Sequence, residues 1–194
     1  MLDVLIALLP ATVASIVIFG MKAVWIILAC VISAVLSEFI FNLCIKKKQT
    51  IGDLSAVVTG LILALNLSTK VAIWQCVLGS VFAIIVVKCL FGGLGKNIVN
   101  PAIAARVFLL LTFASVAGGG QPINPDVVSS ATPLAALNEG KDAAGIPTLL
   151  QLFIGNHGGT IGETCAIALL IGYIYLVVRK VIKWYVPLTF VLTV

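Results

Sequence analysis

Residues 126–134 read D-V-V-S-S-A-T-P-L and hold the clearest candidate for chemistry in the chain. A proline disfavours helical backbone at the residue before it, so Thr132 is expected on extended chain. Its neighbours Ser129, Ser130 and Ala131 are small and leave room beside it for something bulky. Gly118, Gly119 and Gly120 lead in, and Asn138, Glu139, Gly140, Lys141 and Asp142 lead out. Such residues supply turns and do not persist in an apolar helix. A plain loop with a capping threonine has the same composition, and at this level both readings stand.

Glu38 and Arg106 are the second candidate group, because each lies inside an apolar run. A charge in mid-membrane costs several kcal/mol unless it is paired or wet, and it is functional by default. The five cysteines, Cys30, Cys44, Cys76, Cys89 and Cys165, form no C-x-x-C and mostly lie in or at the ends of apolar runs. They read as small buried hydrophobes, so no metal site is expected. His157 is the only histidine and belongs to a Gly-rich loop.

The frame around these residues is apolar. Of 194 residues, 61% are hydrophobic and only 10% are charged, with a mean hydropathy of +1.23. Soluble domains carry about 25% charged residues. The fold class expected is therefore all-α: a polytopic integral membrane protein, a bundle of transmembrane helices with interrupted spans. The net charge of +5 does not point to nucleic acid, because the basic residues stand at span ends rather than in one patch. Apolar runs cover residues 2–19, 23–44, 51–67, 71–91, 98–117, 161–178 and 184–194. Pro10 falls within the first run, and Asn100 with Pro101 interrupts the first turn of the fifth. Residues 118–160 form the long polar interval, with a short apolar stretch at 147–154 that suits a dipping helix. Residues 92–97, G-G-L-G-K-N, resemble a phosphate loop only superficially: no strand precedes them and no K-[ST] ends them. Asp3 and the lack of a basic leader argue against a signal peptide. The last run is cut while still apolar, so residues 1–194 are expected to be one transmembrane domain of a longer protein.

Positive charge collects on the cytoplasmic side of short loops. With Lys46, Lys47 and Lys48 inside, alternation also puts Lys88, Lys96, Arg179, Lys180 and Lys183 inside. Only Lys22, Lys70 and Lys141 fall outside. The N-terminus is then cytoplasmic and the 118–160 loop external. Glu38 lies six residues before the inner end of its run, about 9 Å deep, and Arg106 eight residues into its own, about 12 Å deep. The matching depths predict a Glu38–Arg106 ion pair.

Four blocks together resemble the RnfD/NqrB family of membrane subunits. They are D-x-x-S-x-A-T-P-L, M-L-D-V-L-I-A-L-L-P-A at residues 1–11, F-G-G-L-G-K-N-I-V-N-P-A at 91–102, and G-G-T-I-G-E-T-C-A-I-A-L-L-I-G at 158–172. The resemblance covers essentially the whole chain and favours RnfD, through its short joins and the S-S-A-T form. It implies FMN bound covalently to Thr132 through a phosphoester installed by a flavin transferase outside the cytoplasm. Asp126 and Ser129 would then serve transferase recognition or loop shape. Ser130 replaces the glycine usual in the family motif but stays small, as does Ala131. Gly162, Glu163 and Thr164 are expected to open the sixth span on the outer side, where a helix N-terminus suits a phosphate or ring edge; capping by Glu163 is the alternative.

The resemblance further implies a place in a multi-subunit complex of the cytoplasmic membrane. That complex would move electrons between ferredoxin and NAD, coupled to Na⁺ or H⁺ transport, and a second, noncovalent flavin such as riboflavin is compatible with it. The alternatives are an NqrB-like subunit of a sodium-pumping NADH:quinone oxidoreductase and a urea-channel-like transporter without redox cofactor. A channel has no use for the flavinylation motif.

Overall fold

The computed structural model describes residues 1–46, 49–113, 153, 155 and 159–193. The first two helices are a hairpin. α1 is Leu2–Phe19 and α2 is Met21–Cys44, joined at Gly20, whose φ of 64° lets the chain reverse within one residue. At 18 and 24 residues both are long and apolar enough to cross a membrane. Only 22% and 33% of their most apolar windows are buried, so most of each apolar surface faces outward. The core helix of a soluble protein would bury it.

The buried residues of α2 recur as Ala23, Ile26, Cys30, Ser33, Ala34, Ser37, Glu38 and Asn42. This is one stripe at helical spacing, and it changes from apolar to polar towards the C-terminal end. α3, Ser55–Leu65, lies along that stripe. The contact needs Gly60, since a Cβ there would come within 2.8 Å of the Cys30 carbonyl and 2.9 Å of the Val31 Cα. Small residues let helix backbones approach in this way in membranes. Gly172 does the same for α1, where a Cβ would collide with the Ala7 carbonyl.

α3 has 11 residues and rises only about 16 Å, half a hydrocarbon core. The third run is thus an interrupted span: a 3-10 turn, Ile51–Asp53, precedes the helix, and Leu54 bridges the two at φ 60°. α4, Ile73–Val81, passes directly into a π-helical stretch, Phe82–Cys89. α5 is Pro101–Thr112, with Asn100 as N-cap accepting from the Ala102 N–H at 3.0 Å. Proline at the first helical position costs no hydrogen bond. α6 is Ala166–Val178 and α7 is Tyr185–Thr193.

The ends sort into two groups. Asp3 pairs with Arg179 at 3.0 Å, which joins the start of α1 to the end of α6. Asp3 also holds the Arg179 guanidinium above its ordinary pKa, by hydrogen bond and by charge. Met1, Ser55, Lys88, Leu94 and Pro101 line one cavity at this end. At the other end the Trp74 and Phe113 rings meet edge to face at 5.0 Å, and the Ile161 N–H bonds the Leu67 carbonyl at 2.9 Å. From α1 to α6 the helices alternate in direction.

A candidate ion-pair site in the bundle

Glu38 is 1% exposed and Lys88 is 2% exposed. The Lys88 Nζ donates to Glu38 Oε1 at 2.8 Å and to the Ser55 Oγ at 2.6 Å. Thr50 donates its hydroxyl to the same Oε1 at 2.7 Å and accepts from the Asn42 amide at 3.1 Å. The Ser55 hydroxyl donates to Asp53 Oδ1, which also accepts the Ser55 N–H at 2.8 Å. Six side chains thus form one hydrogen-bonded line from Asn42 to Asp53.

Local structure sets each member. Glu38 and Asn42 are one turn apart on the buried stripe of α2. The left-handed Leu54 turns the chain so that Asp53 caps the start of α3 and Ser55 faces inward. The π-helical stretch carries Lys88, closed by i→i+5 bonds such as Leu90 N–H to Ile85 at 3.1 Å and Gly93 N–H to Lys88 at 3.0 Å. π segments are rare and often mark functional sites. Two ions out of water lose several kcal/mol of hydration each, which only close geometry and further hydrogen bonds offset. The line supplies both.

The expected Glu38–Arg106 pair is not formed. Glu38 takes Lys88, and the Arg106 Nη1 donates to the Asn66 Oδ1 at 2.9 Å. Depth counted from run ends is the wrong guide, because the spans are not straight full-length helices. Asn66 caps the end of the half-length α3, and a cation there is favoured by the helix dipole. Lys88, expected among the cytoplasmic loop charges, belongs to the buried cluster instead, so the loop charges favouring that orientation number seven rather than eight. The sequence held a signal: Cys89, Leu90 and Phe91 continue the apolar run beyond Lys88.

The G-E-T block precedes its helix instead of opening it, since α6 starts at Ala166 with Cys165 as N-cap. The Gly162 N–H is already bonded to the Leu65 carbonyl at 2.7 Å. A Cβ on Gly162 would meet the Leu65 Cβ at 2.6 Å. Glu163 accepts the Thr160 N–H at 3.3 Å, and Thr164 is buried at 1% exposure. These residues lock the turn before α6 onto the end of α3. Ser15 adds a hydrogen bond to the Ile161 carbonyl at 2.6 Å. Asp126, Ser129, Ser130, Ala131, Thr132 and His157 lie outside the described residues, as do Lys47 and Lys48.

Outward apolar helices, an interrupted span and a buried ionised line define a polytopic membrane protein with charged groups built into its bundle. The chain belongs to the NQR2, RnfD, RnfE family, whose model matches residues 1–194. It is 45% identical over 198 residues to the D component of the Na⁺-translocating ferredoxin:NAD⁺ oxidoreductase complex of Acetobacterium woodii, covering 100% of this chain and 62% of that one. It is 34% identical over 212 residues to the proton-translocating counterpart of Clostridium ljungdahlii, with the same coverage of both chains. It is 31% identical over 232 residues to the D component of the ion-translocating oxidoreductase complex of Escherichia coli, covering 100% of this chain and 66% of that protein. The chain therefore spans a little under two thirds of the length of the first two of these curated relatives.

The separate surroundings of Glu38 and Arg106 have a measurable consequence. Glu38→Leu and Arg106→Leu should each lower the stability of the detergent-solubilised protein, and the double substitution should cost the sum to within about 0.5 kcal/mol. Asn66→Leu, by contrast, should couple to Arg106→Leu. Thermal unfolding of these single and double variants decides, and recovery of stability in the Glu38→Leu/Arg106→Leu double would restore the Glu38–Arg106 pair.

Proposed function

We propose that the chain is the flavin-carrying membrane part of an ion-pumping electron-transport complex that links ferredoxin and NAD. The observation that carries this reading is D-V-V-S-S-A-T-P-L within a chain that belongs to the family along its whole length. The names of the relatives support the reaction, one specifying Na⁺ and another protons. Thr132 is the proposed phosphoester anchor for FMN, with Asp126, Ser129, Ser130 and Ala131 shaping the segment that a flavin transferase reads. When bound, the flavin supplies one- and two-electron chemistry, and the protein supplies position, burial and electrostatics. Electron donors and acceptors, and a riboflavin if one binds, would be met in the assembled complex.

Protein isolated from its native host should carry one FMN that survives denaturation and appears in the intact mass. Thr132→Val should abolish it while the protein remains in the membrane. An unmodified mass in the native host would remove the basis for a redox role and favour a channel-like one.

The proposed orientation puts the N-terminus in the cytoplasm and the 118–160 loop outside, in the cytoplasmic membrane. Its support is the excess of basic residues at the end that holds Met1, the start of α3 and the end of α6. In a background free of native cysteines, Asn138→Cys should react with an impermeant thiol reagent on intact cells, and Lys47→Cys only after lysis. The reverse pattern would invert the orientation and take Thr132 out of reach of an external transferase.

A further inference from the structure

The turn between α6 and α7 gathers exposed cations that the packing of the bundle does not use. Arg179, Lys180 and Lys183 are all exposed there. Val181, Trp184 and Tyr185 beside them are exposed too, Trp184 by 62%. α6 closes in a Schellman motif: the Lys180 N–H bonds the Val177 carbonyl at 2.9 Å and the Val181 N–H bonds the Leu176 carbonyl at 3.0 Å. The motif needs one left-handed residue, and Lys180 supplies it at φ 57°. Glycine is the usual residue there, because a Cβ is disfavoured in that region. Lysine at this position costs the fold something, and what it adds is a charge. A cation also suits the last carbonyls of a helix. Arg179 already provides one, however, and capping gives no reason for Lys183 or for the two aromatic rings.

The three charges are not equivalent. Arg179 is paired with Asp3 at 3.0 Å. Among the described residues Lys180 and Lys183 have no carboxylate partner. The Lys183 Nζ lies 5.8 Å from the centroid of the Tyr185 ring, a cation–π contact. The Tyr173 hydroxyl donates to the Trp184 carbonyl at 2.9 Å and ties the turn back onto α6. The Trp184 and Tyr185 rings meet edge to face at 6.1 Å. The turn thus holds two uncompensated positive charges beside an exposed indole.

Position selects the partner. α6 is an apolar helix of a membrane protein, so the turn that ends it lies at headgroup depth. Tryptophan and tyrosine favour that depth, and basic residues there attract anionic lipid. A soluble anion would have no use for the indole or for Val181.

We propose that the α6–α7 turn binds the headgroup of an anionic phospholipid, with Lys180 and Lys183 holding the phosphate and Val181 and Trp184 meeting the upper acyl chain. This goes beyond the redox reading and is independent of it. It is independent of orientation as well, since either leaflet can supply such a lipid.

The test uses the whole purified complex, delipidated in detergent and titrated with phosphatidylglycerol while native mass spectrometry counts the lipid bound. Phosphatidylcholine of the same acyl chains and inorganic phosphate are the comparison ligands. Lys183→Gln and Lys180→Gly should each weaken the tightest-bound phosphatidylglycerol by roughly fivefold. Lys22→Gln and Lys70→Gln, at the other end of the bundle, should leave it unchanged. Lys180→Gly should also keep or raise the melting temperature, since glycine relieves the left-handed backbone; if it does not fold, Lys183→Gln carries the test. Equal affinity for phosphatidylcholine, displacement of the lipid by inorganic phosphate, an equal loss in the Lys22 and Lys70 variants or unaltered binding in Lys183→Gln each overturns the proposal. So does a complex that keeps its other subunits and binds no phosphatidylglycerol, which would give the turn to a protein partner.

Discussion

The Glu38–Lys88 ion pair, buried within an apolar bundle, constrains everything packed around it. Glu38 and Lys88 sit 2.8 Å apart at almost no exposure, on α2 and on the π-helical stretch after α4. Both side chains are buried, so sliding one element past the other would strand a charge, at a cost of about 3–5 kcal/mol. The same constraint recruits the link between α2 and α3. Thr50 and Ser55 must face the pair to satisfy it, and the left-handed Leu54 and the Asp53 cap are the local means of turning them inward. A pair of this kind fixes register more than it adds stability, since a well-packed apolar substitute often does as well.

The opposite end of the bundle is held by backbone hydrogen bonds and one arginine–asparagine contact, with no ion pair among the described residues. α3 stops halfway, which leaves its last carbonyls to find partners inside the membrane. Leu65 and Leu67 take theirs from Gly162 and Ile161, and Asn66 receives Arg106. Irregular backbone at membrane depth persists only where such partners exist. In the proposed orientation the Glu38–Lys88 line lies towards the cytoplasm and the Thr132 loop outside.

Much of this could be read from residue order. The apolar runs located α1, α2 and α4–α6, although Asn100 and Pro101, read as interrupting the first turn of the fifth run, in fact begin its helix as N-cap and first residue of α5. Glu38 was recognisable as a buried charge because no loop residue lies near it. Its partner was not, for a physical reason. Lysine next to a run end normally extends its head to water, and only the π winding and the three apolar residues beyond Lys88 keep it inside. The length of α3 was hidden too, because residues 51–54 are apolar enough to join the run while Asp53 and Leu54 break the helix. The G-E-T block looked like a helix start because glycine and a carboxylate commonly stand there; its packing on Leu65 depends on a helix far earlier in the chain, which local pattern does not report. The segment around Thr132 is legible only through its motif.

The claim that Glu38 and Lys88 form the central pair is tested most directly by a double-mutant cycle on thermal unfolding of the solubilised protein, using Glu38→Gln and Lys88→Met. Each single substitution should destabilise strongly, by about 3–5 kcal/mol, because the other charge is left buried and alone. The double substitution should regain much of that loss. If the double variant falls as far as the two single losses added together, the two residues are not partners and the packing described around them is wrong.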